Sequence, residues 1–261
     1  MNILDKITLD KRKEVALRKS LIPISQLENS VLFNRATVSL ANNLRNSKSG
    51  IIAEHKRRSP SKSIINNNLN VQDVAKGYEE AGVCGMSVLT DGKYFGGSLD
   101  DLLIARASCD LPLLRKEFII DEYQILEAKA YGADVILLIA AILSRDEINQ
   151  FSKFAKRLNL DVLLEVHNEE ELHKSIMPTI DMLGVNNRNL KTFDVSLNTS
   201  KSLSSLIPND FVKVSESGIS HVEAIKELQP YGYQGFLIGE NFMKTDNPGA
   251  SAREFIKTLE G

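Results

Sequence analysis

Eight short apolar runs recur along the 261-residue chain, and their spacing constrains the fold more than any other feature. They begin at Gly50 (GIIAEHK), Gly85 (GMSVLT), Leu111 (LPLLRKEF), Asp134 (DVILLIAA), Asp161 (DVLLEVH), Asp181 (DMLGVNN), Phe211 (FVKVSES) and Gly235 (GFLIGE). Most are near-continuous in apolar residues, the pattern of parallel strands covered on both faces. Helical patterns lie between them. VQDVAKGYEEAG follows the first run, and DEYQILEAKAYG, with Asp121 as N-cap, follows the third. SRDEINQFSKFAKRLN opens on a capping box of Ser144 and Glu147, and SHVEAIKELQPYG repeats that signature with Ser220 and Glu223. Gly82, Gly132, Asn159 and Gly232 stand where helices hand over to strands, as C-caps do. This alternation predicts an α/β chain folded as a (β/α)8 barrel. The alternative is an open doubly wound sheet, which usually carries a Gly-rich loop after its first strand; none follows Gly50–Lys56.

The chain is expected to be one domain over 1–261, of which 1–48 is a helical extension. ILDKITLDKRKEVALRKS and ATVSLANNLRNS carry helical patterns there, and the extension is expected to pack on the barrel wall rather than to form a lid. A formal charge of -2 and a pI near 6.1 give no case for nucleic acid or a membrane surface. No apolar stretch spans a bilayer, and the first residues lack the apolar core of a signal peptide. Cys84 and Cys109 form no metal or redox spacing, so a reduced cytoplasmic setting is expected, without a metal.

Barrel active sites lie where strands end. Side chains two apart share a face, so Glu54 and Lys56 point inward with Ile52, while His55 points outward. The same alternation turns Lys116, Glu165 and Glu216 inward, with Asn186 and Arg188 at the end of the sixth run. Opposed charges in a confined site tune each other's proton affinity and suit proton transfer; the alternative is a purely structural ring of ion pairs. Ser217–Gly218 and Gly239–Glu240 place glycines before helical turns after the seventh and eighth strands, the common phosphate position of this fold. Arg188 and the RRSPS loop are expected to close that site. Leu89, Phe95, Phe118, Leu137, Ile139, Leu190 and Leu237 lie at or near the same edge and can wall an aromatic ring. His167 shares the face of Glu165 one step further on and is assigned no catalytic role; His173 and His221 read as surface residues.

Taken in order, IIAEHKRRSPS, SVLTDGKYFGGS, LLRKEF, YGADVILLIAAIL, LLEVHNEEEL, LGVNNRNLKTFDV, VSESGI and FLIGENFM resemble the successive motifs of the indole-3-glycerol phosphate synthases. The resemblance covers nearly the whole chain. It implies a cofactor-free, metal-free carboxy-lyase of tryptophan biosynthesis. Such an enzyme closes and decarboxylates 1-(2-carboxyphenylamino)-1-deoxyribulose 5-phosphate to indole-3-glycerol phosphate, releasing carbon dioxide and water. It implies Lys116 as general acid on the substrate carbonyl and Lys56 as the contact for the substrate carboxylate. Glu165 becomes the partner acid or base, and Glu54, Asn186 and Glu216 orient the lysines and substrate. Ser59, Arg188, Ser217, Gly218, Gly239 and Glu240 match the phosphate-binding and adjacent positions. The only partner implied is a small sugar phosphate, and the chain is expected to act as a monomer. Glu117 replaces the family's usual Asp, a change expected to be tolerated, and MPTID lacks the usual turn glycine. Competing readings are phosphoribosylanthranilate isomerase, whose family relies on a cysteine at the end of the first strand, a Schiff-base aldolase, and a sugar-phosphate sensor without activity.

Overall fold

The structure, a computed structural model, describes residues 3–190 and 192–261. Lys191, in the polar loop expected after the sixth strand, lies outside the described residues. Eight parallel strands close into a barrel in sequence order. They are β1 (Ile51–His55), β2 (Gly85–Leu89), β3 (Leu113–Lys116), β4 (Val135–Ile139), β5 (Asp161–Val166), β6 (Met182–Asn186), β7 (Val212–Glu216) and β8 (Tyr233–Ile238). Three helices precede β1: α1 (Ile3–Leu21), α2 (Ile24–Glu28) and α3 (Leu40–Arg45). Between the strands run α4 (Val71–Ala81), α5 (Gly92–Phe95), α6 (Leu99–Ser108), α7 (Glu122–Ala130), α8 (Arg145–Arg157), α9 (Glu169–Ser175), α10 (Asn198–Ser204) and α11 (Val222–Leu228). After β8 come α12 (Glu240–Met243) and α13 (Pro248–Glu260).

The continuous apolar runs have a simple cause. Ile52, Leu114, Leu137, Leu163, Val214 and Leu237 meet inside the barrel, while alternate residues such as Ile51, Val88, Ile136, Leu164 and Val185 pack outward under the helices. Both faces of each strand are buried, so neither tolerates a polar stripe. Asp121 caps α7 through Tyr123 N, and Ser144 and Glu147 form the expected capping box on α8. The box expected at Ser220 and Glu223 does not form. Helix α11 starts one residue later, with His221 at its N-cap, and the Ser220 carbonyl instead accepts from Asn241 Nδ2 at 3.0 Å.

The N-terminal extension departs from the expected wall packing. Helix α3 sends Leu40 and Leu44 into the interior cluster beside Gly85 and Gly235, plugging the end where the strands begin. The middle of α1 does pack on the wall, with Val15 joining Leu27, Tyr123 and Leu126. Its first turns, however, carry Ile3, Leu4 and Ile7 to the opposite end, where the strands finish. Lys11 pins this crossing. It is 2% exposed and pairs with Asp91 at 2.9 Å and Glu117 at 3.1 Å. The glutamate in place of the usual aspartate therefore has a partner on α1, and it also accepts from Thr90 Oγ1 at 2.9 Å.

His55 points outward as the alternation requires and is 1% exposed, and its Nε2 has no hydrogen-bond partner. Burial, reinforced by Arg57, lowers its pKa from the ordinary 6.5 to about 4. The unfolded chain takes up a proton as pH falls below 6.5, whereas the folded chain resists until about 4. Stability is thus full above the unfolded value and is lost as pH falls through that window, by about 3 kcal/mol if this histidine acts alone. His55→Leu should flatten the fall in unfolding free energy across that window, measured by urea melts at a series of pH values. Parallel slopes for the two proteins would show that His55 does not titrate this way.

Candidate active site

The C-terminal ends of the strands surround a cavity of about 410 Å3. Strand β1 and its loop contribute Glu54, Lys56 and Ser59, and β2 with α5 contributes Leu89 and Phe95. From β3 and β4 come Lys116, Phe118, Leu137 and Ile139, and from β5 comes Glu165. Asn186, Arg188 and Leu190 follow from β6, Glu216, Ser217 and Gly218 from β7, and Leu237, Gly239 and Glu240 from β8. All the residues singled out at the strand ends thus meet in one place. Ile3, Leu4 and Ile7 of α1 complete its apolar wall. Sequence reasoning missed these three, because their spacing is that of any amphipathic helix.

Lys116 is the centre of the charge arrangement. Its Nζ forms an ion pair with Glu216 and stands 3.4 Å from Glu165 Oε2. Burial alone would lower its pKa; Glu216, Glu165 and Glu54 outweigh that and raise it, so the ammonium form is strongly held. Lys56 Nζ pairs with Glu54 Oε1 at 2.7 Å, and Ser87 Oγ lies 3.4 Å from Glu54 Oε2. The three carboxylates differ. Burial would raise Glu54, but Lys56 and Lys116 hold it below the usual carboxylate value. Glu165 is likewise held down against burial by Lys116, His167 and Asn186. For Glu216 burial wins, with Glu165 adding to it, and the pKa is pushed up to about 7. Neighbouring acids whose proton affinities are driven apart can hold and accept protons at one pH.

Two glycines make room for these carboxylates. A Cβ on Gly184 would come within 2.5 Å of Glu216 Oε1, and one on Gly239 within 2.5 Å of Glu54 Oε1. Gly184 was not singled out from the sequence, although an inward-facing glycine in a buried strand is the available signal. The buried Glu216 Oε1, which lies against Gly184, has no hydrogen-bond partner.

At the far side, Ser217 and Gly218 are both left-handed, with φ of 66° and 81°. A serine seldom adopts this conformation, which marks the turn as tightly constrained. Arg188 lies alongside, its Nη1 donating to the Phe193 carbonyl at 3.1 Å. Glu240 pairs with Lys62 at 2.7 Å. The expectation that the whole RRSPS loop closes the cavity needs correction. Ser59, Pro60 and Ser61 line it, but Arg57 is tied to Asp101 at 2.6 Å and Arg58 donates to the Gly92 and Lys93 carbonyls. Both guanidiniums fasten the β1 loop to the segment after β2. Among the described residues no group of three or more His, Cys, Asp or Glu side chains could hold a metal ion, and no helix is long and apolar enough to cross a membrane.

Some solved structures share this fold at low identity. They include 3-hexulose-6-phosphate synthase from Salmonella typhimurium, with a TM-score of 0.64 and 12% identity over 81% of this chain and 98% of that one. Thiamine phosphate pyrophosphorylase from Pyrococcus furiosus matches with a TM-score of 0.60 and 17% identity over 85% and 98%. The sequence relatives are nearer. The indole-3-glycerol phosphate synthase of Bacteroides thetaiotaomicron is 47% identical over 99% of each chain. That of Acinetobacter baylyi is 43% identical over 97% of this chain and 95% of its own. The indole-3-glycerol phosphate synthase family model itself matches residues 4–255. With the barrel and its charged mouth, these matches establish that the chain belongs to the indole-3-glycerol phosphate synthases, the carboxy-lyases of tryptophan biosynthesis.

Proposed function

We propose that Lys116, Lys56 and Glu165 carry the proton and charge transfers of the synthase reaction, in the cavity at the strand ends. The observation that bears most on this reading is the cluster itself: Lys116 held between Glu165 and Glu216, with the Lys56–Glu54 pair beside it. The substrate's ring carbon attacks the ketone carbon of the sugar chain while Lys116 protonates the ketone oxygen. Lys56 meets the ring carboxylate, which leaves as carbon dioxide and returns its electron pair to the ring. Lys116, once reprotonated, gives a second proton that, with Lys56 assisting, takes the new hydroxyl out as water, and Glu165 accepts the proton lost from the adjacent methylene carbon. Glu54, Glu216 and Asn186 orient these groups. The aromatic ring lies against Leu89, Phe95, Phe118, Leu137, Ile139, Leu190 and Leu237.

The phosphate is assigned to Ser217–Gly218 and Gly239–Glu240, with Arg188 and Ser59 beside it. The left-handed turn at Ser217 and Gly218 supports this, since successive N–H groups in such a turn converge on an anion. A Schiff-base mechanism fits less well, because it needs a neutral amine and Lys116 is strongly held as ammonium. The working unit is taken as one chain folded as one domain, because a single chain supplies all the lining residues named above. A reduced, cytoplasmic setting accords with two free, buried cysteines.

Inorganic phosphate should compete with the anilino-deoxyribulose phosphate in an assay that follows indole fluorescence. Arg188→Ala should weaken that competition and raise KM while leaving kcat within a few-fold. Unchanged competition by phosphate, or an anion bound elsewhere in a crystal with these loops empty, would remove the assignment.

A further inference from the structure

The net reaction consumes a proton. Two protons go to the oxygen that leaves as water, and one returns from the methylene carbon. The carboxylate departs as neutral carbon dioxide, leaving its electron pair in the ring. One proton per turnover must therefore reach the mouth from solvent while substrate fills it. The lysines cannot supply it repeatedly, and Glu165 returns only the proton it receives.

Glu165 splits its two oxygens between two neighbours. Oε2 faces Lys116 Nζ at 3.4 Å, and Oε1 faces His167 Nε2 at 3.3 Å. That Nε2 is buried and makes no hydrogen bond, because the 3.3 Å contact lies off hydrogen-bond alignment. On its other side, His167 Nδ1 lies 3.1 Å from Glu171 Oε2 on α9. His167 and Glu171 line a second cavity of about 550 Å3, which shares Leu4, Asn186, Arg188 and Leu190 with the first; Glu165 lines the first alone. Its rim carries the exposed Asn168 and Asn189. Exposure of the side chains rises along the file, from 6% at Glu165 to 11% at His167 and 15% at Glu171.

We infer that His167 is the proton entry of the active site, linking solvent in the second cavity to Glu165 and through it to Lys116. The step balances. The imidazolium breaks its Nε2–H bond and gives that proton to Glu165 Oε1. The carboxyl passes a proton from Oε2 to the spent Lys116 amine, restoring the ammonium and the carboxylate. The imidazole, still protonated at Nδ1, then turns over about its Cβ–Cγ bond, takes a proton from solvent in the second cavity on the vacated nitrogen and turns back, with Glu171 accepting from the N–H that faces it. The groups facing His167 are suited to this. Burial would favour the neutral ring, but Glu171, Glu165 and, further off, Glu216 raise its pKa, and Lys116 is the cation beyond Glu165. His167 is a positioning and relay residue; it touches Glu165, not the reacting atoms.

The inference rests on Glu165 being an acid–base group, and the test separates the two. His167→Gln keeps a polar contact for Glu171 but cannot carry a proton. It should lower kcat about tenfold, less than the 10²- to 10⁴-fold of a direct acid or base, with KM little changed. His167→Ala opens an imidazole-sized space on the second cavity, so added imidazole at fixed pH and ionic strength should restore kcat. In His167→Gln, kcat should rise with buffer concentration, as it should not in the parent enzyme. A parental kcat in His167→Gln overturns the relay. So does a loss of kcat in either variant that neither imidazole nor buffer relieves, since a structural defect gives that result. If Glu165→Gln keeps full turnover, the acid–base reading of Glu165 fails. If Glu165→Gln is inactive while His167→Gln is unimpaired, only the relay fails.

Discussion

Lys116→Ala should abolish most turnover while leaving the barrel folded. Its Nζ sits at the end of β3 within reach of Glu165 and Glu216. A strongly held ammonium is a poor acid toward water, but the alkoxide that forms as the ring closes is a strong base and takes the proton. Losing a positioned acid costs about 10²- to 10⁴-fold in kcat, or roughly 3–5 kcal/mol of transition-state stabilisation. The fold should pay less. Without the cation, Glu216, whose pKa is already pushed up to about 7, takes a proton and stops being an uncompensated buried charge. The two effects are separable: single-turnover rate reports the chemistry, and thermal unfolding reports the fold. Near-normal turnover in a folded Lys116→Ala protein would remove Lys116 from the mechanism, and Glu216 with Lys116 would then be a structural pair.

The strands and their inward carboxylates were legible because alternation is rigid geometry. Once Ile52 faces the interior, Glu54 must as well, and the argument repeats at Lys116, Glu165 and Glu216. Which charge meets which was not legible. Alternation turns Glu54, Glu165 and Glu216 all toward the lysines without ranking them, and the partner that Lys116 takes is Glu216, admitted because Gly184 has no side chain to displace it. The arginines of the β1 loop show the same limit. A run of cations reads as anion-binding until Asp101, 44 residues away, is seen to hold Arg57. Helix α1 failed for another reason. One apolar stripe serves both ends of the helix, Val15 on the wall and Ile7 over the mouth, and its periodicity carries no record of where the helix crosses from one to the other. The Ser220–Glu223 spacing satisfies the capping pattern, yet Ser220 turns its carbonyl to Asn241 and lines the cavity.

Lys56 should prove sensitive to the shape of its cation as well as to its charge. It pairs with Glu54 at 2.7 Å, and Glu54 cannot retreat, because the Gly239 backbone lies close behind the same oxygen. A substrate carboxylate arriving at Lys56 is thus bound by a cation already part-neutralised, which is useful. The contact must hold the carboxylate while the ring closes and release it as carbon dioxide, which carries no charge. An ammonium on a flexible stem can follow the group and let go, whereas a planar guanidinium grips both oxygens at once. Lys56→Arg should therefore keep substrate Kd within a few-fold and lose turnover by about 10²-fold, in the range of positioned proton-transfer groups. Lys56→Met should lose both, since it leaves the buried Glu54 and the substrate carboxylate facing each other without a cation. Measuring Kd and single-turnover rate for both variants decides between the two demands. An arginine variant with parental turnover would mean that only charge matters at this position, and that release of carbon dioxide is not limited by the grip on the carboxylate.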